Sequence, residues 1–134
     1  MLEDSIRSDD KERRTAETVS VVRALYDAFL DGRRDVAESL ISPEFRFTSP
    51  YDDRIDRAAY FALCWPGRLH LLDFEIECVA AGPYAAFVTY RARNDAGDSF
   101  RNTEYVAVSN GKVTGVDVYF GAAYRDRELL PPKR

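Results

Sequence analysis

Two side chains in this sequence could together stabilise a negative oxygen or hold a proton: Tyr26 and Glu104. Tyr26 lies on the apolar stripe of a predicted helix, and Glu104 shares one face of a predicted strand with Asn102 and Val106. If that face lines an apolar pocket, desolvation raises the pKa of the Glu104 carboxyl group and favours the neutral acid. A neutral carboxylic acid can donate a hydrogen bond to a developing oxyanion. We therefore expect Tyr26 and Glu104 to be catalytic residues.

Both residues also have an ordinary structural explanation. A buried tyrosine usually finds a partner for its hydroxyl group, so Tyr26 could be a core residue. A buried carboxylate also needs a partner, and an arginine could supply it for Glu104. The candidates for that ion pair are Arg91, Arg93 and Arg101.

Three aspartates, Asp52, Asp53 and Asp56, cluster in a polar turn before a predicted helix. A general base must lie within reach of the proton that it removes, and we expect Asp53 to be the carboxylate that reaches the pocket. The alternative is a solvated turn in which Asp56 caps the helix that follows.

Other chemistries lack their residues in this sequence. His70 is the only histidine, so histidine clusters cannot build a zinc or iron site, and we expect neither a metal nor a cofactor. The spacing of Cys64 and Cys78 is not that of a disulfide framework, and Cys64 is interpreted as a small buried hydrophobic residue. The sequence contains no GxSxG motif and no glycine-rich phosphate loop.

The composition is that of a folded domain of 134 residues, 46% hydrophobic and 31% charged. Its formal net charge of −4 argues against a general nucleic-acid binder, which needs basic residues against phosphate. No stretch approaches the roughly 20 apolar residues that span a bilayer, and the charged N-terminal residues do not resemble a signal peptide. We therefore expect a cytoplasmic protein that binds neither nucleic acid nor membrane.

The first third of the chain predicts helices. An apolar stripe predicts an amphipathic helix from Thr15 that ends at Gly32, and a short helix over 35–40 is expected to end at Ser42-Pro43. A short strand over 44–48 follows, and Asp56 is expected to cap a third helix over 57–65.

The rest of the chain predicts four strands, over 69–80, 84–93, 99–109 and 112–120. Asn110-Gly111 predicts the turn of the last hairpin. In the first of these strands the alternation predicts one common face for His70, Leu72, Phe74, Ile76 and Cys78.

Helices followed by long strands predict an α+β fold, in which a curved antiparallel sheet wraps around the helices and leaves an internal pocket. We expect one domain over 15–122. A flexible charged arm over 1–14 and a loosely packed tail over 123–134 are expected to flank it.

This order of elements resembles the cystatin-like cone of the nuclear transport factor 2-like superfamily, and more narrowly its SnoaL-like and ketosteroid isomerase-related members. The resemblance covers about residues 18–121 and rests on four segments: VVRALYDAFLDGRRDVAESLISPEF, FRFTSP, DRAAYFALCW and FRNTEYVAVSNGKVTGVDVYFG. It implies the fold more specifically than the activity, because this fold hosts enzymes and binding proteins alike.

The resemblance also implies roles for individual positions. Tyr26 matches the tyrosine that donates to the substrate oxygen in the isomerases, and Glu104 is the nearest match to their neutral acid. The supporting tyrosine of the isomerases falls at Cys64, and their general base falls at Ser49. The carboxylate of SnoaL-type cyclases falls at Val118, beside Asp117 on the opposite face.

We expect a small apolar molecule to bind in the pocket. The expected ligand-binding residues are Phe47, Ser49, Tyr51, Tyr60, Cys64, Asn102, Val106, Val118 and Phe120. Tyr105, Ala107, Asp117 and Tyr119 are expected on the outer face of the sheet, and the resemblance implies a homodimer through that face.

Two functions remain open from the sequence. One is a cofactor-independent isomerase, cyclase or dehydratase that acts on an apolar carbonyl compound through Tyr26 and Glu104. The other is a non-catalytic ligand-binding or dimeric interaction module of the same fold. The absence of a carboxylate at Ser49 and Val118 favours the second function, whereas the presence of Tyr26 and Glu104 favours the first.

Overall fold

The first helix, α1 (Ser8–Asp31), presents a buried apolar stripe to the sheet, as its sequence pattern predicts. The structure, a computed structural model, describes residues 7–131. Gly32 ends α1 in the left-handed conformation (φ 71°), in which its N–H reaches the carbonyl oxygens of the last turn.

The start of α1 differs from the prediction, because the helix begins at Ser8 and not at Thr15. Asp9 and Asp10 lie in its first turn, where carboxylates interact favourably with the helix dipole. Arg14 donates a hydrogen bond to the Tyr84 hydroxyl at 2.8 Å and so ties this end of the helix to the sheet. The predicted flexible arm is therefore helical over 8–14, and residues 1–6 lie outside the described residues.

A second helix, α2 (Arg34–Leu40), leads directly into the strand β1 (Ile41–Ser49). The predicted end of this helix at residue 40 is confirmed, and Ile41, just before Ser42-Pro43, already has extended backbone angles. A short strand, β2 (Asp52–Asp56), pairs with β1 where the sequence predicts only a polar turn.

The third helix, α3 (Arg57–Leu63), has the predicted cap, since the Asp56 carboxylate accepts a hydrogen bond from the Ala59 N–H at 2.9 Å. The predicted end at Trp65 is too late. Trp65 and Pro66 instead open a 3₁₀ helix, Trp65–His70, that leads to the long strands.

Five further strands complete the sheet: β3 (Leu71–Ala81), β4 (Ala85–Asn94), β5 (Asp98–Ser109), β6 (Lys112–Arg125) and β7 (Glu128–Leu129). The strand order is β2-β1-β6-β5-β4-β3, and β7 pairs with β6. The α+β fold with a curved sheet is confirmed, but the sheet is mixed and not wholly antiparallel, because β1 runs parallel to β6. Asn110 and Gly111 both have positive φ in the predicted hairpin turn.

The predicted common face of β3 is wrong at three of its five positions, and one of them, His70, is exposed at the end of the 3₁₀ helix and not in the strand. The register shifts between Leu71 and Asp73 and again between Ile76 and Cys78, and each irregularity reverses the alternation. Phe74 and Ile76 therefore pack against the core, whereas Leu72 and Cys78 are exposed.

The end of the chain is also more ordered than predicted. Strand β6 continues to Arg125, and Leu130 N–H donates to the Ala123 carbonyl oxygen at 2.8 Å. Arg125 also donates a 2.7 Å hydrogen bond to the buried Asp98 carboxylate. These contacts hold part of the predicted tail on the sheet; residues 132–134 lie outside the described residues.

The core lies between the helices and the inner face of the sheet. α1 contacts β3, β4, β5 and β6. The largest fully buried side chains come from α1 and from the strands of the sheet, among them Val22, Phe45, Val88 and Val106. Within 7–131, no helix is long and apolar enough to cross a bilayer. The cytoplasmic location stays a prediction.

Candidate functional site

A cavity of about 430 Å³ lies between the helices and the inner face of the sheet. This volume falls within the range of roughly 300–1,000 Å³ that small-molecule sites occupy. Its walls are mainly apolar and aromatic, and a few polar groups converge on it from α1, α3, β1, β2, β4 and β5. That combination is typical of a pocket for an apolar ligand with one or two polar atoms.

The structure brings together almost all of the residues that the sequence predicts for the site. Tyr26 and Glu104 both line the cavity. The nine predicted ligand-binding residues also line it: Phe47, Ser49, Tyr51, Tyr60, Cys64, Asn102, Val106, Val118 and Phe120. Their contact with a ligand stays a prediction.

Asp53 is the exception. It is exposed on β2 and does not line the cavity, whereas its neighbour Asp52 does. The reason is the strand itself, because successive side chains of a strand point to opposite faces. In the polar turn that the sequence predicts, successive side chains need not point to opposite faces, so the prediction could not separate Asp52 from Asp53.

Glu104 is the centre of a hydrogen-bond network inside the cavity. The Tyr26 hydroxyl from α1 donates to Oε1 of Glu104, and the Tyr90 hydroxyl from β4 donates to Oε2 at 2.8 Å. Asn102 then donates from Nδ2 to the Tyr90 hydroxyl oxygen at 3.0 Å. One carboxyl group is therefore bound by two phenols that come from different layers of the fold.

The arginine explanation for Glu104 is wrong. Each of the three candidate arginines forms an ion pair with an acidic residue of β3: Arg91 with Glu75 at 3.7 Å, Arg93 with Asp73 at 2.8 Å, and Arg101 with Glu77 at 2.9 Å. All of them alternate with the inward-facing residues of their strands and so lie on the outer face of the sheet.

Burial controls the ionisation of this network. Desolvation raises the pKa of Glu104 above its ordinary value, although the hydrogen bonds from Tyr26 and Tyr90 lower it in part. Burial, followed by the nearby Glu104 carboxyl group, also raises the pKa values of Tyr26, Tyr90 and Tyr60. The phenols therefore stay protonated and can donate, and Glu104 keeps its proton at higher pH than an exposed glutamate.

Aromatic packing holds the two phenols in place. The rings of Phe74 and Tyr90 are stacked with centroids 4.5 Å apart, and Tyr26 contacts both of them at about 6 Å. On the other side of the cavity, Tyr60 packs edge-on against Phe45 at 5.2 Å. Such packed rings can keep a hydroxyl group in a fixed direction without a flexible side chain.

A second cluster of polar side chains lies in the cavity, contributed by β1, β2 and the end of α3. The Ser49 hydroxyl donates to Oδ2 of Asp52 at 3.3 Å, and the Cys64 thiol approaches the same oxygen at 3.9 Å. Burial, together with the charge and hydrogen bond of Asp52, raises the pKa of Cys64 to about 11. The thiol is therefore neutral at physiological pH and is a poor nucleophile, whereas Asp52 is placed to accept a proton.

Tyr90 lines the cavity and donates to Glu104, although the sequence did not place it in the predicted site. Its signal is the apolar alternation of β4, in which Ala86, Val88, Tyr90 and Ala92 share the inner face. Tyr90 also pairs directly with Asn102 across the β4–β5 ladder.

No group of three or more metal-ligating residues occurs in the described part of the chain.

A family model described as a SnoaL-like domain matches residues 22–116, which is more than half of the chain. No curated protein matches the sequence.

Three similar solved structures share the fold. A proposed ketosteroid isomerase from Kribbella flavida DSM 17836 is 19% identical over 90% of this chain and 86% of its own, with a TM-score of 0.69. A proposed SnoaL-like polyketide cyclase from Jannaschia sp. CCS1 is 18% identical over 79% and 86%, with a TM-score of 0.67. An LEH-like epoxide hydrolase from M. tuberculosis is 17% identical over 80% and 84%, with a TM-score of 0.65.

Proposed function

The chain belongs to the SnoaL-like domain family, and we propose that it is a cofactor-independent enzyme acting on an apolar carbonyl compound. The reaction class is isomerisation, cyclisation or dehydration, in which a carbon acid loses a proton and the carbonyl oxygen becomes an enolate. The similar structures named as an isomerase and a cyclase support this class by analogy of fold alone.

One observation carries the proposal: a carboxyl group inside an apolar cavity is bound by two phenols, and no cation pairs with it among the described residues. Desolvated hydrogen-bond donors that are already in place stabilise a developing oxyanion more than water does. Tyr26 and Glu104 are the donors in this proposal, as the sequence predicts.

Asp52 takes the role of general base that the sequence assigned to Asp53. Its carboxylate removes the proton from the carbon next to the carbonyl group, and the electron pair of the C–H bond passes into the enolate. In an isomerisation the proton then returns to another carbon, and in a dehydration it leaves with the substrate's hydroxyl group as water. In a cyclisation it goes to the oxygen of the carbonyl group that the enolate carbon attacks. Return to the same carbon gives hydrogen exchange alone. Asp52 lines the cavity and accepts hydrogen bonds from Ser49 and Cys64, which orient it.

The lining also restricts the substrate. Among the described residues that line the cavity there is no Lys, Arg or His, whereas two of them, Asp52 and Glu104, are acidic. A ligand that carries a carboxylate or phosphate would find no countercharge, so the proposal favours neutral ligands.

The experiment has two steps. Thermal-shift screening against phenols, steroids and polyketide-like aromatic ketones identifies a ligand, and we expect it to stabilise the wild type more than Glu104→Gln. NMR then follows hydrogen–deuterium exchange at the carbon next to the carbonyl group of the bound ketone. Exchange should require Asp52 and be lost in Asp52→Asn, and Asp53→Asn, one residue away and exposed, is the matched control.

The second candidate function is non-catalytic ligand binding, or a dimeric interaction module of the same fold. It is favoured by Ser49 and Val118, which stand where the isomerase-type and cyclase-type carboxylates would lie in the resemblance. A ligand that binds without any exchange above the rate in buffer would support this function and contradict the enzyme.

We also propose that the protein forms a homodimer through the outer face of the sheet. Phe87 and Tyr119 are 50% and 59% exposed there, and Phe87 packs against Tyr105 with centroids 5.0 Å apart. An exposed aromatic patch of this kind is typical of an interface. Sedimentation equilibrium should give a dimer that Phe87→Asp dissociates, whereas Leu69→Asp, at an exposed site of the 3₁₀ helix, should not.

A further inference from the structure

We infer that the side-chain oxygen of Asn102 accepts a hydrogen bond from a hydroxyl group of the ligand, so that the substrate is a hydroxylated carbonyl compound. The inference rests on the proposed function and deepens it by naming the substrate class. In this role Asn102 determines specificity, because it binds a part of the ligand that takes no part in the proton transfer.

The orientation of the Asn102 amide follows from counting hydrogens. The Tyr90 hydroxyl group has one hydrogen, which it donates to Oε2 of Glu104 at 2.8 Å. The Tyr90 oxygen therefore accepts from Asn102, and the 3.0 Å contact between them is made by the amide nitrogen, Nδ2. The amide oxygen, Oδ1, is left out of this hydrogen bond.

Oδ1 of Asn102 has no hydrogen-bond partner among the described residues, since the bond to Tyr90 uses only Nδ2. Two of the cavity-lining neighbours of Asn102 are Phe100 on the same strand and Phe120 opposite it on β6. Neither phenylalanine has a polar side-chain atom. Residues 7–131 therefore supply no donor for this oxygen.

The same oxygen is deep in the protein and yet open to the cavity. Asn102 is only 8% exposed, and it lines the cavity. Among residues 7–131, the one side-chain nitrogen or oxygen that is sealed from solvent without a partner is Nε of Arg57, outside the cavity lining. Oδ1 of Asn102 is therefore not sealed, and a molecule in the cavity can reach it.

A buried acceptor without a partner is unfavourable, because it has given up its hydrogen bonds to water. A ligand that brings a hydroxyl hydrogen restores one such bond, whereas a hydrocarbon at the same place restores none. Sites that hydrogen-bond a hydroxyl group therefore reject the analogue without it more strongly than apolar pockets separate hydrocarbons by size.

The hydroxyl group of Tyr60 is a second polar group that the cavity does not use. It forms no hydrogen bond within the described part of the chain, and its ring is packed between Phe45 at 5.2 Å and Phe47 at 5.1 Å. As a donor it fits a ligand oxygen, whereas Asn102 Oδ1 fits a ligand hydrogen. The experiment must therefore separate the hydrogen of a ligand hydroxyl group from its oxygen.

The test compares 2-acetylnaphthalene with analogues that carry a hydroxyl, methyl or methoxy group on the ring without the acetyl group. The substituent is moved around that ring, where a hydroxyl group cannot reach its own carbonyl oxygen. A methyl group is similar in size to a hydroxyl group but forms no hydrogen bond, and a methoxy oxygen accepts but cannot donate. Isothermal titration calorimetry at about pH 6, where a phenolic hydroxyl group is neutral, gives each Kd.

In the wild type we expect the hydroxyl analogue to bind about tenfold more tightly than the methyl analogue at one position of the ring. Without a partner for the hydroxyl group the order would be the opposite, since a methyl group gains more from burial in an apolar cavity. The methoxy analogue should lack the advantage. If it binds as tightly as the hydroxyl analogue, the ligand oxygen accepts from a donor such as Tyr60, and the assignment to Asn102 is overturned.

Asn102→Leu removes the amide at similar size, and we expect the methyl analogue to become the tighter ligand. Each comparison is made within one variant, so a general loss of affinity cancels. Thr103→Val, the next residue and on the opposite face of β5, should keep the wild-type order. A hydroxyl preference that persists in Asn102→Leu would overturn the inference, and if this variant does not fold, the wild-type series decides alone.

The outcomes separate this inference from the proposed function. If the methyl analogue binds at least as tightly as the hydroxyl analogue at every position in the wild type, the role of Asn102 is overturned. Hydrogen exchange in the bound parent ketone would still support the enzyme in that case. If none of these ketones binds, the parent included, the inference and the proposed carbonyl chemistry are both overturned.

Discussion

The two faces of β5 contact carboxyl groups with different partners: an arginine on the outer face and tyrosine hydroxyl groups on the inner face. On the outer face, Arg101 binds the Glu77 carboxylate of β3, and on the inner face Glu104 is bound by the hydroxyl groups of Tyr26 and Tyr90. Water screens the outer pair, so its charges cost little and contribute little. On the inner face the Glu104 carboxyl group is desolvated by burial, and its neutral form is therefore favoured.

Strand β4 repeats this contrast one position away. Arg91 and Arg93 form ion pairs with β3 on the outer face, while Tyr90, which precedes Arg91, faces the cavity. The difference shows that this sheet separates two chemistries by side-chain alternation alone. On the outer face carboxylates form ion pairs with arginines. On the inner face a carboxyl group forms hydrogen bonds with tyrosine hydroxyl groups, and its protonated form is favoured.

The strongest way to break the contrast is to place a carboxylate inside without hydroxyl partners. Val106→Asp introduces one on the inner face of β5, two residues from Glu104, at a position that is 1% exposed. We expect the free energy of unfolding to fall by about 3–5 kcal/mol, because the new charge is buried and unpaired. Urea denaturation measures it. Ser109→Asp, exposed on the same strand, should change little, and similar losses in both would contradict the contrast.

Removal of one hydroxyl partner has a smaller effect. Tyr26→Phe leaves Oε1 of Glu104 without its donor, and we expect a loss of about 1–3 kcal/mol in unfolding free energy. The pKa of Glu104 should rise further, since the hydrogen bond from Tyr26 lowers it. Infrared difference spectroscopy of the protonated carboxyl band measures that pKa. A lower pKa in the variant would show that Tyr26 does not donate to Glu104.

Glu104→Gln should raise stability at neutral pH, by about 1 kcal/mol or a few degrees in Tm. The raised pKa means that the folded protein binds this proton more tightly than the unfolded chain does. Ionisation of Glu104 therefore destabilises the wild type as pH rises above 4.5, the ordinary value, and the full effect is reached above the folded pKa. Thermal melts at several pH values should show the two proteins converging below that ordinary value. A constant difference at all pH values would exclude the titration of Glu104 as its cause.

The smallest effect is expected on the outer face. Glu77→Gln removes the carboxylate that Arg101 binds, and we expect no change in Tm that calorimetry resolves, because both side chains remain hydrated. High salt should not alter this result, since it screens a pair that contributes little. A clear loss of stability in this variant would show that the outer ion pairs hold the sheet together.

Local signals in the sequence were sufficient for much of the fold. Gly32 ends the first helix, Asp56 caps the third, and Asn110-Gly111 turns the last hairpin, each through contacts between near neighbours in the chain. The inward face of β5 also followed from its alternation, so Glu104 and Asn102 were placed in the cavity correctly.

These local signals did not predict the irregular pairing of β3 or the short strand β2. The register shifts of β3 expose Cys78, and the pairing of β2 with β1 turns Asp52 and not Asp53 into the cavity. A bulge or a short edge strand depends on the partner strand, and its sequence carries no period of its own to reveal it.

The sequence by itself determined which residues could do the chemistry: a helix with Tyr26 on its apolar stripe and a strand with Glu104 on its inner face. Only the tertiary structure decided that Tyr90 binds Glu104, that the three arginines bind β3 instead, and that Asp52 completes the cavity. The physical reason is the range of each interaction. Periodicity and capping act over a few residues, whereas the partner of a buried carboxyl group is chosen by strands and helices that meet only after the chain has folded.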